Sequence, residues 1–494
     1  MNLTMQQQNF LKSLISNGVC LLKGGAGTGK TFCAVDYTLQ MGQKKDDFFE
    51  TASTVGFLTY TKSLIGKVKK VVDATLQQAA YRHLATTWND NSLSLFSSQQ
   101  NRRWEMCVNT IDSLVYQKVK PELKARELNT RIYETQLLSF IEQAKAAVFS
   151  PEDDSKLAQK PNEFFLEEIL WIKGCEISSL EAYQKVQRIG RGSVGRITLE
   201  NRAKLWKVYT HYQQILEANK YWDYLDRQAY LLRELQAGNQ KPFFIHLTID
   251  EAQDCAQLTL KLLNALVCPG GTVLLVADVA QKIYRNSFSW KSVGFTIKGR
   301  NRSFCFDTNF RNTFQIKKLG DAILVWETSS IQEEFTPVND PLVEGEVPKV
   351  YQADHLHNVN HLARTLKTIN SGASCAVAVH TEKELQLLQK DLLQRGVAAM
   401  DVRTKMRRQQ SGIFISTFHS LKGLEFKHVY LMNLDDKNFP LVNTEEENSK
   451  RRRLLHTAVT RACKTVTIYS DGVLTPYLQH ISEAYLKLEH EIPC

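Results

Sequence analysis

Long apolar runs and paired cysteines are absent from this sequence. No stretch reaches the roughly 20 apolar residues that a membrane-spanning helix needs, and the N-terminal "MNLTMQQQNFLKSL" lacks the apolar run of a signal peptide. The 10 cysteines form no C-x-x-C pair, which argues against a zinc ribbon and a disulfide framework. We therefore expect a cytoplasmic protein with no membrane partner, whose cysteines are reduced and mostly buried.

The composition is that of a globular protein with an excess of positive charge. Hydrophobic residues make up 43% of the 494 residues and charged residues 23%, which excludes disordered, collagen-like and fibrous chains. This length predicts roughly three compact units rather than one core. The net charge of +10 favours an anionic partner, either nucleic acid or an anionic membrane surface. An ordinary basic protein has the same composition, so charge alone does not decide the function.

Short apolar runs alternate with helical patterns along most of the chain, which predicts an α/β fold with parallel sheets. Residues 117–225 differ, because their apolar residues recur at helical spacing and strand signals are few. We expect a helical insertion there, and a Pro-punctuated surface linker in "TSSIQEEFTPVNDPLVEGEVPK". The predicted strands of the early part are "GVCLL" and "TVGFLTY", and later ones lie in "FFIHLTID", "GTVLLVAD", "ASCAVAVHT", "GIFISTFHS", "HVYLMNLD" and "KTVTIYSD".

The stretch "GGAGTGKT" at residues 24–31 fits the pattern G-x-x-x-x-G-K-[ST]. Its glycines let the backbone wrap phosphates and present N–H groups to them, Lys30 reaches the outer phosphates, and the Thr31 hydroxyl suits Mg²⁺. A chance glycine turn is the alternative, but the strand before and the helix after are what a phosphate loop requires. We assign the nucleotide-binding loop to Gly24, Gly25, Ala26, Gly27, Thr28, Gly29, Lys30 and Thr31.

A pair of carboxylates follows the apolar strand in "FIHLTIDEAQD". The Asp250 carboxylate suits a metal ion shared with Thr31, and Glu251 suits orienting the attacking water. Acidic residues also occur at helix N-termini, where they stabilise the helix dipole. Together with the phosphate loop, the pair predicts phosphoryl transfer from a nucleoside triphosphate with Mg²⁺.

The letters "DEAQD" after a phosphate loop resemble the motor of superfamily 1 helicases of the UvrD/Rep group. The resemblance extends over most of the chain outside the helical insertion. It implies two RecA-like parallel-sheet motor domains with a helical insertion between parts of the first. The expected ranges are 1–116 and 226–302 for domain 1A, 117–225 for the helical domain 1B, and 303–494 for domain 2A.

The same resemblance assigns residues to the adenosine end of a nucleotide. "LTMQQQ" resembles the adenine-reading glutamine motif, best matched at Gln7, although three consecutive glutamines leave the register open. In "TNFRNT" the resemblance implies that Phe310 covers the adenine. "STFHSLKGLEF" is similar to the family's T-x-H-x-x-K-G-L-E-F, which implies that Glu425 lies near the ribose.

Three further residues are assigned to the phosphates in the same way. "VADVAQKIY" resembles the motif whose glutamine, here Gln281, senses the γ-phosphate. Arg311 of "TNFRNT" is expected to contact that phosphate, and Arg461 of "LLHTAVTRA" to act as the arginine finger. Either arginine alone could be an ordinary surface residue, but a phosphoryl-transfer site in a cleft between two domains needs such cations.

Contacts with a single strand of DNA are expected from aromatic and polar residues of the same motifs, because bases stack on aromatic side chains beside a basic groove. Ordinary packing is the alternative for the aromatic residues. For the lysine run from Lys62 to Lys70 and the arginine-rich run 403–408, the alternative is a solvated face. The basic, glycine-rich "QRIGRGSVGR" suits backbone contact to phosphates, with a simple turn between helices as the alternative. The expected DNA contacts are Tyr60, Thr61, Lys62, Thr110, Tyr284, Thr417 and His419.

The sequence also departs from the family pattern. Asn286 and Ser287 stand where a tryptophan–arginine pair is common, and His456 and Arg451 replace a tyrosine and a glutamate of the last motif. The accessory domain called 2B in larger relatives is missing or reduced to a linker at 328–346. Because that domain regulates unwinding in larger relatives, the resemblance does not predict how strongly this chain separates duplex DNA.

Two functional hypotheses follow. The first is an ATP-dependent helicase that moves 3′ to 5′ on single-stranded DNA or tailed duplex DNA. The second is a DNA-stimulated NTPase subunit that senses DNA ends and activates a partner nuclease in a bacterial antiviral system of the Gabija type. An inactive relative that only binds is disfavoured, because the expected catalytic residues are all present: Lys30, Asp250, Glu251, Gln281, Arg311 and Arg461.

Overall fold

The architecture is taken from a computed structural model that describes residues 3–25, 27–44, 54–60, 62–97, 102–186, 197–277, 289–299, 301–325, 339–341, 343–369, 372–402, 411–442 and 445–489. Its strands are β1 Gly18–Gly24, β2 Thr54–Thr59, β3 Leu84–Asn89, β4 Ser92–Ser97, β5 Arg102–Thr110, β6 Phe244–Ile249, β7 Val267–Ala277, β8 Ser303–Phe306, β9 Lys349–Gln352, β10 Ser374–Val379, β11 Met400–Asp401, β12 Gly412–Thr417, β13 Phe426–Leu431, β14 Ala462–Ser470 and β15 Lys487–Glu489.

Helices separate most of these strands. They are α1 Met5–Lys12, α2 Lys30–Gln43, α3 Lys62–Leu76, α4 Ile111–Ala125, α5 Glu134–Ala146, α6 Asn162–Gly174, α7 Leu180–Lys185, α8 Leu199–Ala218, α9 Tyr224–Gln236, α10 Gln257–Ala265, α11 Phe314–Ile323, α12 His355–Thr368, α13 Glu382–Gln394, α14 Glu445–Val459 and α15 Pro476–Gln479. Within the described ranges, the helices are too short or too polar to cross a membrane.

The first sheet has eight strands in the order β3-β4-β5-β2-β6-β7-β1-β8. The neighbouring strands in β5-β2-β6-β7-β1-β8 pair in parallel. Strands β3, β4 and β5 form an antiparallel edge. Strand β6 is buried at every position, as expected for a strand covered by helices on both faces. The short strand β8 belongs to this sheet, so the predicted boundary between 302 and 303 is wrong: Phe304 and Phe306 pack against Phe10 of α1.

Helices α5 to α8 form a separate cluster with its own apolar core, which extends from Leu137 to Leu216. This cluster lies within the range predicted for the helical insertion. The predicted start at residue 117 is too early, because Val119 and Leu123 of α4 are buried in the core that covers the first sheet. At the other end, Leu225 of α9 also belongs to that core.

The second sheet has seven strands in the order β11-β12-β10-β13-β14-β9-β15, and the strand pairs in its described part are parallel. One apolar core lies on each face of the sheet. The two sheets, dominated by parallel strands and covered by helices, confirm the predicted α/β class with two RecA-like units. Parallel strands end at one common edge, and the residues described next lie at those ends.

Candidate active site

The loop at residues 24–31 joins β1 to α2, and its described part has the backbone of a tight phosphate-binding turn. Gly27 and Gly29 have φ of 78° and 80°, in the left-handed region that favours glycine. A Cβ atom on Gly27 would lie 2.6 Å from both Arg311 Cβ and Asn309 Oδ1. Position 27 therefore requires glycine for two reasons: the left-handed turn, and the close approach of the segment that carries Arg311. Ala26 lies outside the described residues.

Two side chains at the start of α2 face the loop and the end of β6. The Lys30 ammonium donates to the carbonyl oxygens of Gly24 at 2.6 Å and Gly25 at 2.7 Å, so a cation lies within the loop. The Thr31 hydroxyl donates to Asp250 Oδ2 at 3.3 Å. A hydroxyl beside a carboxylate is a set of oxygen donors that suits Mg²⁺.

Asp250 and Glu251 are neighbours whose surroundings separate their pKa values. Burial, reinforced by the charge of Glu251, raises the pKa of Asp250 to about 7. Burial also acts against ionisation of Glu251, but Lys422 and Lys30 outweigh it and lower the pKa of that carboxyl. Such a separation gives two adjacent acids different roles. Glu251 is thus held ionised, and a cation beside Asp250 would favour its ionised form.

The three consecutive glutamines lie in α1, where each makes a different contact. Thr4 and Gln7 form a capping box at the start of the helix, and Gln7 Nε2 donates to the Thr28 carbonyl at 3.1 Å. Gln6 instead donates to Asp307 at 2.8 Å, and Gln8 donates to the Leu3 carbonyl. Gln7 is the glutamine of this run that lines the cavity above the loop.

The segment after β8 places Phe310 and Arg311 against the loop. The Phe310 amide donates to the Gly27 carbonyl at 2.9 Å. Phe310 lines the cavity, and the residue is 49% exposed. The Arg311 guanidinium binds Glu425 through Nε at 2.7 Å and through Nη2. Its Nη1 is buried and has no hydrogen-bond partner among the residues that the structure describes. An additional acceptor, such as a phosphate oxygen, would satisfy that nitrogen.

The second sheet contributes three side chains to the same cavity. Glu425 precedes β13, Arg461 lies between α14 and β14, and Cys463 lies on β14. Arg461 is almost fully buried, and its Nε donates to the Thr457 carbonyl at 3.0 Å. The cavity encloses about 430 Å³. Predicted residues from both sheets therefore meet in one place: Gln7, Gly27, Thr28, Gly29, Lys30, Thr31, Asp250, Glu251, Phe310, Arg311, Glu425 and Arg461.

Two ion pairs join the sheets beside this cavity. Lys67 of α3 donates to Glu425 Oε1 at 2.8 Å, and Lys422 pairs with Asp254 in a largely buried position. Burial opposes ionisation of Glu425, but Arg311 and Lys67 outweigh it and hold its pKa well below the usual range. Sequence reasoning did not assign Lys67, Asp254 or Lys422 to the site. The position of Lys67 at the cavity could have been found from its helical spacing from Leu64 and Val71, which also line the cavity.

The predicted DNA contacts lie at the ends of strands. Tyr60 follows β2 and is 50% exposed, and His419 follows β12 and is also exposed. Thr110 is buried, and its hydroxyl accepts the Ser113 amide to cap α4. The Thr417 hydroxyl donates to Ser420 Oγ at 3.0 Å and accepts the Ser420 amide at 3.3 Å. Both threonine hydroxyls thus make local hydrogen bonds, and their contact with DNA stays a prediction.

Several predictions fall outside the described residues. These are Thr61, Gln281, Tyr284, Asn286 and Ser287, together with the side chain of Lys62, the run 403–408, the segment 187–196 and most of the linker 328–346. The lysine run does not form one patch. Lys67 faces the cavity, whereas Lys69 donates to the Asp90 carbonyl at 2.6 Å, because residues two apart on a helix point in different directions.

Two family models match this chain. The UvrD/REP helicase N-terminal domain matches residues 3–289, and the UvrD-like helicase C-terminal domain matches residues 182–471, each more than half of the chain. The chain belongs to the UvrD/Rep helicase family. Membership in this family confirms the resemblance drawn from the "DEAQD" motif and its companions.

Individual relatives are more distant. A probable DNA helicase from Mycoplasma pneumoniae is 22% identical over 301 residues, 56% of this chain and 54% of the relative. A protein of Acanthamoeba polyphaga mimivirus, named as an ATP-dependent DNA helicase, is 24% identical over 270 residues, 50% of this chain and 38% of the relative. The match thus spans about half of the first relative and less of the second.

One solved structure is also similar in part. The C-terminal domain of a possible DNA helicase from Lactobacillus plantarum covers 36% of this chain and 98% of its own length, at 23% identity and a TM-score of 0.28. A TM-score this low supports no comparison of sites.

Proposed function

We propose that this UvrD/Rep family member is an ATP-dependent DNA helicase that moves 3′ to 5′ on single-stranded DNA. The observation that supports it most is the meeting of Lys30, Asp250 and Glu251 with Arg311 and Arg461 in one cavity between two sheets. The direction of movement rests on the family resemblance alone. Since DNA is polyanionic, the net charge of +10 also fits this substrate.

The loop side of the cavity would bind the triphosphate. Lys30 and the amides of the loop hold the phosphates, and Thr31 with Asp250 would hold Mg²⁺. When bound, Mg²⁺ neutralises charge on the transferred phosphoryl group. Glu251, which Lys422 and Lys30 keep ionised, orients the attacking water and accepts its proton.

The opposite side would stabilise the transition state. Arg311 and Arg461 face the cavity from segments beyond β8, and arginines so placed can raise the rate roughly 10³- to 10⁵-fold. The buried Nη1 of Arg311, without a partner among the described residues, fits an oxygen of the outer phosphate. Gln281 is assigned to the same phosphate by resemblance.

The remaining end of the cavity suits the adenosine. The Gln7 amide can donate to and accept from an adenine edge, the exposed Phe310 ring can stack on the base, and the Glu425 carboxylate can accept a ribose hydroxyl. These three side chains come from α1, the segment after β8 and the residue before β13. A nucleotide bound there would contact elements of both sheets.

Movement along DNA would follow from opening and closing of the cleft. The Lys67–Glu425 and Lys422–Asp254 pairs lie where the two sheets meet, so hydrolysis between the sheets can alter their separation. Each unit would grip the strand through exposed residues at its strand ends, including Tyr60 and His419. Stacking on Tyr60 would bind bases without reading sequence.

Turnover and polarity can be tested on the purified chain. We expect ATP hydrolysis that single-stranded DNA stimulates, and unwinding of duplexes with a 3′ tail but not a 5′ tail. Lys30→Ala and Glu251→Gln should abolish both. Hydrolysis that is indifferent to DNA, or turnover retained in either variant, would contradict the proposal.

The second candidate is an NTPase that senses DNA ends and activates a partner nuclease. It is favoured by the short segment between α11 and β9, residues 324–348, where the family resemblance implies an accessory domain in larger members. Both candidates share the nucleotide site and differ in output. DNA-stimulated hydrolysis without unwinding, together with a nuclease that gains activity only with this chain and ATP, would favour the second.

A further inference from the structure

The helix α3 presents one stripe of side chains to the cavity. Leu64, Lys67 and Val71 line it, at spacings of three and four residues that place them on one helical face. Lys69 is directed away, toward the Trp88 ring and the Asp90 carbonyl, and Lys70 is exposed. Lys67 is therefore the described lysine of this helix whose ammonium lies at the nucleotide cavity.

Lys67 binds a carboxylate that belongs to the other sheet. Its Nζ lies 2.8 Å from Glu425 Oε1, the same oxygen that accepts from Arg311 Nε at 2.7 Å. Both Lys67 and Glu425 are about one-third exposed, so the pair is accessible from the cavity. Burial lowers the pKa of Lys67, with a contribution from the nearby Arg311, and the Glu425 carboxylate opposes this shift only in part. Glu425 is thus held by two cations from different elements.

The chemistry of Glu425 limits what it can contact in a bound nucleotide. A carboxylate repels phosphate and accepts hydrogen bonds from hydroxyl groups, which fits the ribose contact that the family resemblance implies for Glu425. Arg311 Nη1 has no partner in the described part of the chain and can donate to a phosphate oxygen, whose charge changes during hydrolysis. Lys67, which contacts the same carboxylate from α3, can hold Glu425 independently of that change.

We propose that Lys67 is a positioning residue of the nucleotide site, whose ammonium holds the Glu425 carboxylate toward a ribose hydroxyl while Arg311 contacts the triphosphate. This inference rests on the proposed ATP site. It assigns Lys67 to nucleotide binding rather than to DNA, and makes the selection of a ribonucleotide depend on a residue that does not contact the ribose.

The test compares Lys67→Met with Lys67→Arg, Glu425→Gln and the Lys67→Met/Glu425→Gln double variant. KM and kcat are measured for ATP, 2′-deoxy-ATP and 3′-deoxy-ATP at saturating single-stranded DNA. For Lys67→Met we expect KM for ATP to rise about tenfold, as when a charged hydrogen bond is lost, with kcat within about threefold of wild type. The preference of this variant for ATP over the analogue that lacks the contacted hydroxyl, 2′-deoxy-ATP or 3′-deoxy-ATP, should fall by the same factor.

The other variants make the result specific. Lys67→Arg can still donate to the carboxylate and should keep most of the preference, and the double variant should be no worse than Glu425→Gln. Lys70→Met, on the exposed face of α3, should resemble wild type. Thermal unfolding of each variant separates a loss of fold from a loss of binding.

Three outcomes would overturn the inference: a Lys67→Met variant with wild-type KM and preference, a wild type that does not distinguish ATP from either analogue, or a Lys67→Met variant that weakens only the binding of single-stranded DNA. Equilibrium dissociation constants for the same nucleotides give the same ratios without turnover. A chain that binds ATP but hydrolyses none would contradict the helicase proposal. The ratios of dissociation constants would still test whether Lys67 positions Glu425.

Discussion

The Thr31 hydroxyl donates a hydrogen bond to the Asp250 carboxylate at 3.3 Å, although the two residues lie 219 positions apart. This contact joins the first turn of α2 to the end of β6. Because β1 and β6 belong to one sheet and run in the same direction, their following residues reach a common edge. The contact brings together the two oxygen donors expected to hold Mg²⁺.

Asp250→Asn removes a negative charge from this pair and keeps the shape of the side chain. We expect kcat for ATP to fall on the order of 10²- to 10³-fold, the loss typical of one electrostatic group, and the Mg²⁺ concentration for half-maximal activity to rise. A Mg²⁺ titration of ATP hydrolysis measures both. Asp73→Asn, exposed on α3, is the control and should behave as wild type. Near-normal turnover in Asp250→Asn would rule out the metal assignment.

Gly27→Ala tests the close approach between the loop and the Arg311 segment. The added Cβ meets Arg311 Cβ and Asn309 Oδ1 at 2.6 Å, and φ of 78° is unfavourable for alanine. We expect a loss of about 1–3 kcal/mol in the free energy of unfolding and a large loss of ATP turnover. In Gly66→Ala, the new Cβ has no described atom beyond its own helix within 4 Å. That control should be stabilised by about 0.5–1 kcal/mol in urea denaturation and stay active.

Gln7→Glu keeps the acceptor of the helix cap but removes the amide donor, which also bonds the Thr28 carbonyl of the loop at 3.1 Å. A glutamate can still accept the Thr4 amide in the capping box but cannot donate to a base. We expect KM for ATP to rise roughly tenfold, while KM for GTP changes less, because an unmatched polar group in a binding site costs about 1–2 kcal/mol. Gln8→Glu, on the exposed side of α1, is the matched control. An equal effect of both variants would contradict the assignment of Gln7.

His355 is expected to make stability depend on pH. Its Nδ1 lies 2.6 Å from Asp471 Oδ2 and its Nε2 lies 3.3 Å from Asp391 Oδ2. Its hydrogen bond with Asp471, opposed by burial and supported by Asp391, raises its pKa from 6.5 to about 9. The stabilisation is therefore fully present below pH 6.5 and is lost as the pH rises through about 9. The difference in Tm between wild type and His355→Gln should shrink over this window.

The control for that measurement is His83→Gln, at an exposed histidine in the turn before β3. The Tm of this variant should stay close to that of wild type, because the replaced side chain is exposed. A His355→Gln variant whose Tm difference is constant from pH 6 to pH 10 would show that the two aspartates do not stabilise the charged imidazole.

Local patterns predicted the family, the α/β class and the positions of the phosphate loop and the "DEAQD" strand. They succeeded because each is a short-range feature: an apolar run, a glycine loop and a polar strand end lie within about ten residues of one another. "SLSLFS" also alternates in the manner of a half-buried strand, but its antiparallel pairing with β5 was not predicted. Boundaries at 117 and 303 were wrong, because α4 and β8 are assigned by the cores against which they pack.

The residue order and the local chemistry of this chain are enough to specify a phosphate loop, an acidic strand end and two downstream arginines. The resemblance favoured Gln7 among three glutamines, and the tertiary structure places that residue at the cavity. Tertiary structure alone directed Lys67 to the cavity rather than to a basic patch, and paired Lys422 with Asp254. The physical reason is that these contacts join elements far apart in sequence, and their partners are chosen by how the two sheets pack. A local pattern contains no information about the opposite wall of the cavity.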